Sequence, residues 1–223
     1  MFYFLGIDIG GKDNTWAVVL EKRGSGWTLK AELSLDVPEG RSVTLSEILD
    51  FALKNKVLGV AIDAPLSFSV SCDSGLRKSD LELKKLLKQR LKGAEKWVVS
   101  YNTLMGIPLR SFLLAEKLAP VCGAIIETHP RAGLLFLTCE KEPYLAVEYK
   151  KSKEALKKAK EFVFDEFNIK SEVEMPLKES LIDALVCGLT IGLYFYEPEK
   201  LIFLPAEELR GFGPFVVLAP FKF

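Results

Sequence analysis

The feature that most constrains this chain is an arrangement used three times, an apolar run that ends on a carboxylate. Phe2-Tyr3-Phe4-Leu5-Gly6-Ile7-Asp8-Ile9 leads into Gly10-Gly11, Val57-Leu58-Gly59-Val60-Ala61-Ile62-Asp63 into Ala64-Pro65, and Ala124-Ile125-Ile126-Glu127 into Thr128-His129-Pro130. Runs of this length and composition read as buried strands. Burying an unpaired carboxylate is costly, so each acid needs a partner, and at a strand end the usual partner is a cation. A fourth acid, Asp183, lies in the otherwise apolar helical stretch Leu181-Ile182-Asp183-Ala184-Leu185-Val186. Four acids set in hydrophobic sequence suggest one shared metal site.

At 223 residues the chain suits a single domain over 1–223, with room for a helical insertion at about 66–120. Its 49% hydrophobic content excludes wholesale disorder. The 30 basic and 30 acidic residues balance, so no global basic field draws in nucleic acid. A polyanion partner would have to be held by a local patch or by metal. The uncharged stretch Ala184 to Tyr196 falls short of the ~20 residues that span a bilayer. No basic segment precedes the first apolar run, which argues against a signal peptide. Cys72, Cys122, Cys139 and Cys187 lack CxxC spacing, and His129 is the only histidine. These cysteines read as free thiols of a cytoplasmic protein, not as zinc ligands.

Phe2 to Ile9, Thr15 to Glu21 and Thr28 to Val37 read as three strands of an antiparallel meander, turned by Gly10 to Asn14 and by Arg23-Gly24-Ser25-Gly26. Thr44 with Glu47 forms a capping box for a helix carrying Ile48, Leu49, Ala52 and Leu53. Val57 to Asp63 then returns as a strand, a spacing that favours parallel pairing. Ser79 with Glu82 reads as a second capping box. Helices are expected over Leu109 to Leu118, after Pro130, over Ser152 to Phe167 and after Pro176. Leu201 to Leu204 and Phe215 to Ala219 read as a final strand pair. The sum is a mixed sheet with helices on its faces, and in such sheets ligands gather at the carboxyl ends of the parallel strands.

Gly6-Ile7-Asp8, Ala61-Ile62-Asp63-Ala64-Pro65-Leu66, Cys72-Asp73-Ser74-Gly75-Leu76-Arg77, Ile126-Glu127-Thr128-His129-Pro130-Arg131-Ala132 and Asp183-Ala184-Leu185 occur in this order across nearly the whole chain. Together they resemble an uncharacterised family described as predicted nucleases with a ribonuclease H-like fold. The resemblance implies an α/β fold with a mixed five-stranded sheet of order 3-2-1-4-5, helices on both faces and a C-terminal strand pair. It also implies an acidic site acting on nucleic acid, DNA or RNA. Family members often carry Lys-Lys-Thr where this chain has Tyr149-Lys150-Lys151-Ser152-Lys153.

Four carboxylates around one small space repel unless cations neutralise them. Mg²⁺ or Mn²⁺, which take oxygen ligands and keep water, suit phosphodiester hydrolysis, and two such ions about 3.5–4 Å apart would activate water and stabilise the leaving oxygen. Asp8, Asp63, Glu127 and Asp183 are therefore the expected metal ligands and catalytic acids. His129 is a candidate phosphate binder or proton shuttle. Arg77, Arg131 and Lys151 are candidate substrate-binding cations, the arginines because they fork onto phosphate oxygens. Bland readings stand beside these: the arginines can instead pair with Glu127 or Asp73, and Lys150 to Lys160 can be a solvated helix face. Trp16, Trp27 and Trp97 read as core or sheet-surface residues. Two rival functions remain. Gly6 to Lys12 also resembles the first phosphate loop of sugar kinases and actin-like ATPases, whose nucleotide cleft this short chain would need a dimer to complete. A non-catalytic binding protein on the same fold is the other, although it has no reason to accumulate repelling acids.

Overall fold

The computed structural model of the protein describes residues 2–69, 75–104, 106–207 and 211–220. Three strands open the chain: β1 (Tyr3–Asp8), β2 (Trp16–Arg23) and β3 (Gly26–Leu29), each antiparallel to the one before. The third is shorter than its sequence suggests. After Leu29 the chain leaves the sheet into a 3-10 turn at Leu33–Leu35, where Leu33 takes a φ of 52° and the Ser34 hydroxyl accepts the Ala17 N–H at 2.9 Å. That side-chain bond substitutes for strand pairing, a competition open to serine near turns.

Helix α1 (Leu45–Lys54) follows, with Thr44 accepting from the Glu47 N–H and Glu47 accepting from the Thr44 N–H, the reciprocal cap expected of this pair. Strand β4 (Val57–Ile62) then pairs parallel to β1. Between it and β5 (Ala124–Glu127), parallel to β4, lie α2 (Lys78–Arg90) and α3 (Ile107–Leu118). The start of α2 departs from the expected Ser79 cap. Arg77 is the N-cap, its N–H donating to Asp80 at 2.8 Å, while the Ser79 N–H and hydroxyl both donate to buried Glu207 at 2.7 and 2.6 Å. Cys72, Asp73 and Ser74 lie outside the described residues.

The chain continues through α4 (Pro130–Thr138), the short α5 (Leu145–Glu148), α6 (Lys153–Glu166), β6 (Ile169–Ser171), α7 (Glu179–Tyr196), β7 (Leu201–Phe203) and β8 (Val216–Leu218). The sheet order is β5-β4-β1-β2-β3-β6, and β7 pairs with β8 in a separate antiparallel ribbon. The order 3-2-1-4-5 therefore runs through the sheet, but with six strands and not five. The addition, β6, is parallel to β3, and its sequence Ile-Lys-Ser buries only Ile169. Three residues with one apolar side chain carry no legible strand period.

Strand pleating sorts the core into two layers. Phe4, Ala61 and Ile126 face the layer that contains α7, whereas Leu5, Ile7, Val60, Ile62 and Ile125 face the layer of α1 and α3. At 18 residues α7 is apolar and long enough to compare with a membrane span, yet Leu181 to Leu193 are all buried. It lies across β1, β2 and β4. This approach depends on Gly6, where a Cβ would sit 1.9 Å from the Ala184 carbonyl oxygen and 2.2 Å from the Gly188 nitrogen. Cys122, Cys139 and Cys187 are free thiols.

Candidate active site

Strands β1, β4 and β5 run the same way, so their carboxyl ends meet along one edge of the sheet. Ile7 stands opposite Ile62 in the register, and the Asp63 N–H donates to the Ile7 carbonyl at 2.9 Å. Asp8 and Asp63 are thus neighbours across adjacent strands, one pleat step from the isoleucines and on the face toward α7. There they meet Asp183, in the second turn of that helix. Asp8 and Asp63 are both held away from their ionised forms. Burial first, and then the Asp183 charge, push Asp8 up to about 7, against a hydrogen bond from Ser180 and the charge of Lys150. Burial, then Asp8 and Asp183, push Asp63 well above the usual carboxylate range.

Asp183 already has partners. The Tyr149 hydroxyl donates to Oδ1 at 2.6 Å and the Lys150 ammonium to Oδ2 at 2.6 Å. Burial would lower the Lys150 pKa, but Asp183, Asp8 and Asp63 raise it on balance, so its charge is retained. The sequence reading placed Lys151 at the site. Lys151 instead pairs with Glu148 at 3.2 Å, and the cation in the cluster is Lys150, which the Asp183 contact would have singled out had the fold been known.

Glu127 does not share the arrangement of Asp8 and Asp63. It pairs in register with Ile62, which turns it to the opposite pleat from Asp63. Its oxygens accept from both terminal nitrogens of buried Arg77, at 2.7 and 2.5 Å, and Oε2 also accepts the Leu66 N–H at 2.8 Å. Arg77 further donates to Asp80 and to Ser67. Burial raises the Glu127 pKa against these contacts, and the charges of Glu127 and Asp80 hold Arg77 fully protonated against its own burial. A buried, saturated arginine ties the chain after β4 to the end of β5. Of the two readings open for Arg77, the structure shows the pairing with Glu127.

His129 caps α4. Its Nδ1 accepts the Ala132 N–H at 3.3 Å, and Nε2 faces the Trp97 carbonyl at 3.5 Å. Burial depresses its pKa, outweighing the Trp97 carbonyl and Asp183, so the ring favours the neutral form while it caps α4. Arg131 donates from Nε to the Ala146 carbonyl at 3.0 Å and lies over the Trp97 ring at 4.0 Å. Trp97 is half-buried and packs against the core in which Trp16 and Trp27 are buried. Thr128 carries a buried hydroxyl with no partner and follows Glu127 directly, which puts it across from Asp63.

These residues line a cavity of about 300 Å³ that reaches Asp8, Asp63, Glu127, Thr128, His129 and Lys150. A larger hollow of about 810 Å³, between the Asp36-Val37-Pro38 turn and α6, contains none of them. The carboxylates at the strand ends lie in the smaller one.

Comparison with protein-family models, with curated proteins and with solved structures gives no match. The site must be read from its own donors. Among the described residues no three of His, Cys, Asp and Glu are placed to grip one ion together. Of the four acids, Asp8 and Asp63 are the two with no close cationic partner among the described residues, whereas Glu127 pairs with Arg77 and Asp183 with Lys150. Mg²⁺ is ordinarily held by one or two carboxylates with waters and substrate phosphates completing the shell, so this donor set fits it, and Mn²⁺ accepts the same oxygen donors. The kinase-like reading of the first glycines has less to stand on. A Cβ at Gly10 would sit 2.1 Å from the Asn14 carbonyl oxygen, so the turn itself requires that glycine.

Proposed function

We propose that the protein hydrolyses phosphate esters with a divalent cation, Mg²⁺ or Mn²⁺, held by Asp8 and Asp63, as a member of the ribonuclease H-like nucleases its motifs resemble. One observation carries this reading. Asp8 and Asp63 stand side by side at the ends of adjacent parallel strands, Asp8 raised by burial and the Asp183 charge and Asp63 by burial and the charges of Asp8 and Asp183. Their two neighbours Glu127 and Asp183 have close cationic partners. Two half-buried acids kept in this state are costly to the fold, and a cation relieves the cost. The sheet order 3-2-1-4-5 within the six strands supports the ribonuclease H-like assignment.

The bound ion would supply Lewis-acid stabilisation of a phosphoryl oxygen and a water acidified enough to attack. The chain's own residues do the rest. Asp183 and Tyr149 hold the Lys150 ammonium at the cluster, where it can meet a non-bridging phosphate oxygen. Arg77 and Glu127 fix the turn after β4 and with it the position of Asp63. The apolar wall limits water beside the reacting group.

The experiment is hydrolysis of an activated phosphodiester and an activated phosphomonoester by the purified chain, with Mn²⁺, with Mg²⁺ and with chelator. Metal-dependent turnover that disappears in Asp63→Asn supports the reading. Turnover that persists in chelator, or in Asp63→Asn, overturns it.

A further inference from the structure

The cavity over Asp8 and Asp63 holds about 300 Å³, the lower end of the range of about 300–1,000 Å³ usual for single small molecules. One wall is uncharged and comes from Trp97, Val98, Val99 and Leu104, between α2 and α3, and from Ile107 at the start of α3. The cations that line it differ in their freedom. Arg77 is saturated by Glu127, Asp80 and Ser67, and Lys150 is paired with Asp183. Arg131 is fixed through Nε on the Ala146 carbonyl and by its stacking on Trp97. Its two terminal nitrogens make no hydrogen bond among the described residues. A guanidinium locked in plane with that edge open is a preformed fork for a phosphate.

A continuous strand needs a basic track along its backbone. Of the lysines from Lys150 to Lys160, all but Lys153 stand beside an acid or a carbonyl that offsets their charge. Lys151 pairs with Glu148, Lys157 with Glu161 and Lys158 with Glu154, while Lys160 donates to the Met175 carbonyl. With 30 basic and 30 acidic residues, the chain has no net field to compensate.

We propose, resting on the phosphate-ester hydrolysis argued above, that the substrate is a phosphate ester of single-nucleotide size. It enters end-on, with its phosphate on Arg131 and its organic part against the Trp97 wall, and no strand threads the site. A free nucleotide and the last residue of a single strand share this chemistry.

The test uses the full chain with Mn²⁺ and follows melting temperature and tryptophan fluorescence. The probes are a nucleoside 5′-monophosphate, a linear single-stranded octamer with a 5′-phosphate, a circular single strand and a closed circular duplex. The monophosphate or the linear octamer is expected to bind, and the circles are not. Binding of the monophosphate alone assigns free nucleotides, and binding of the octamer alone assigns strand ends. Arg131→Gln should weaken binding by about tenfold or more, the scale of one lost charge-assisted hydrogen bond, and Arg131→Lys should weaken it less. Comparable binding or internal cutting of either circle overturns the proposal, as does failure of both linear probes to bind or full affinity in a folded Arg131→Gln. The two readings fail separately. Internal cutting of a circle leaves the hydrolase and removes the size limit, whereas Arg131-dependent binding without hydrolysis of any probe does the reverse.

Discussion

Asp8 and Asp63 face each other across neighbouring strands, and each holds its proton more tightly in the folded chain than in the unfolded one. For Asp8 the ordinary value of 3.8 rises to about 7. Below 3.8 both states are protonated; between 3.8 and about 7 only the folded state keeps the proton. Stability from this group is therefore present at low pH and lost as pH rises through 7. In chelator, the melting temperature of the parent should rise as pH falls from about 8 to about 5, and Asp8→Asn should rise distinctly less. An equal slope in the variant would contradict the raised value. Asp63→Asn makes the companion prediction. Removing one of two repelling charges should leave the metal-free protein at pH 8 as stable as the parent or more so, by up to about 1 kcal/mol, or ~2–4 °C in a chain of this size. With Mn²⁺ the parent should gain melting temperature by mass action and the variant should gain little. A variant that keeps the full Mn²⁺ gain would exclude Asp63 as a ligand.

At the scale of elements, the site exists because α7 can lie directly on β1. Gly6 makes this contact possible, since a Cβ there would meet backbone and not a movable side chain. Gly6→Ala should cost about 1–3 kcal/mol or more and should also weaken Mn²⁺ binding by displacing β1 and with it Asp8. Calorimetry together with metal titration checks both, and an alanine variant of parent stability would disprove the close packing. The Arg77 ion pair acts between elements as well. Arg77→Met should destabilise by about 3–5 kcal/mol, because it strands buried Glu127 without its cation. Arg77→Met combined with Glu127→Gln should recover part of the loss by chemical denaturation, and no recovery would show that the charges are uncoupled. The strand-ending acids, the Thr44 and Glu47 cap and the apolar α7 were legible because each rests on local pattern. The α2 cap was not: Ser79 is drawn to Glu207, distant in sequence, and Asp80 to Arg77. Long-range polar contacts override local capping grammar, and no periodicity announces them.

For the whole molecule, the order 3-2-1-4-5 was implied by the resemblance of the motifs and recurs within the six-stranded sheet, while local pattern by itself reached only the antiparallel start and the parallel return of β4. It missed β6, whose three residues are defined only by pairing with β3. The site was legible as a collection of acids and not as a partition. Which acids are neutralised depends on where Arg77 and Lys150 arrive, and both come from segments far from the strands they serve. The central claim is that partition: Asp8 and Asp63 hold the ion, while Glu127 belongs to Arg77. Calorimetric titration with Mn²⁺ of the parent, Asp8→Asn, Asp63→Asn and Glu127→Gln tests it, each variant first checked as folded by circular dichroism. The account predicts that the two Asn variants lose more than about tenfold in affinity, at least what outlying partners of metal ligands usually cost, and that Glu127→Gln stays near the parent. Loss of Mn²⁺ affinity in Glu127→Gln as large as that in Asp63→Asn would contradict it.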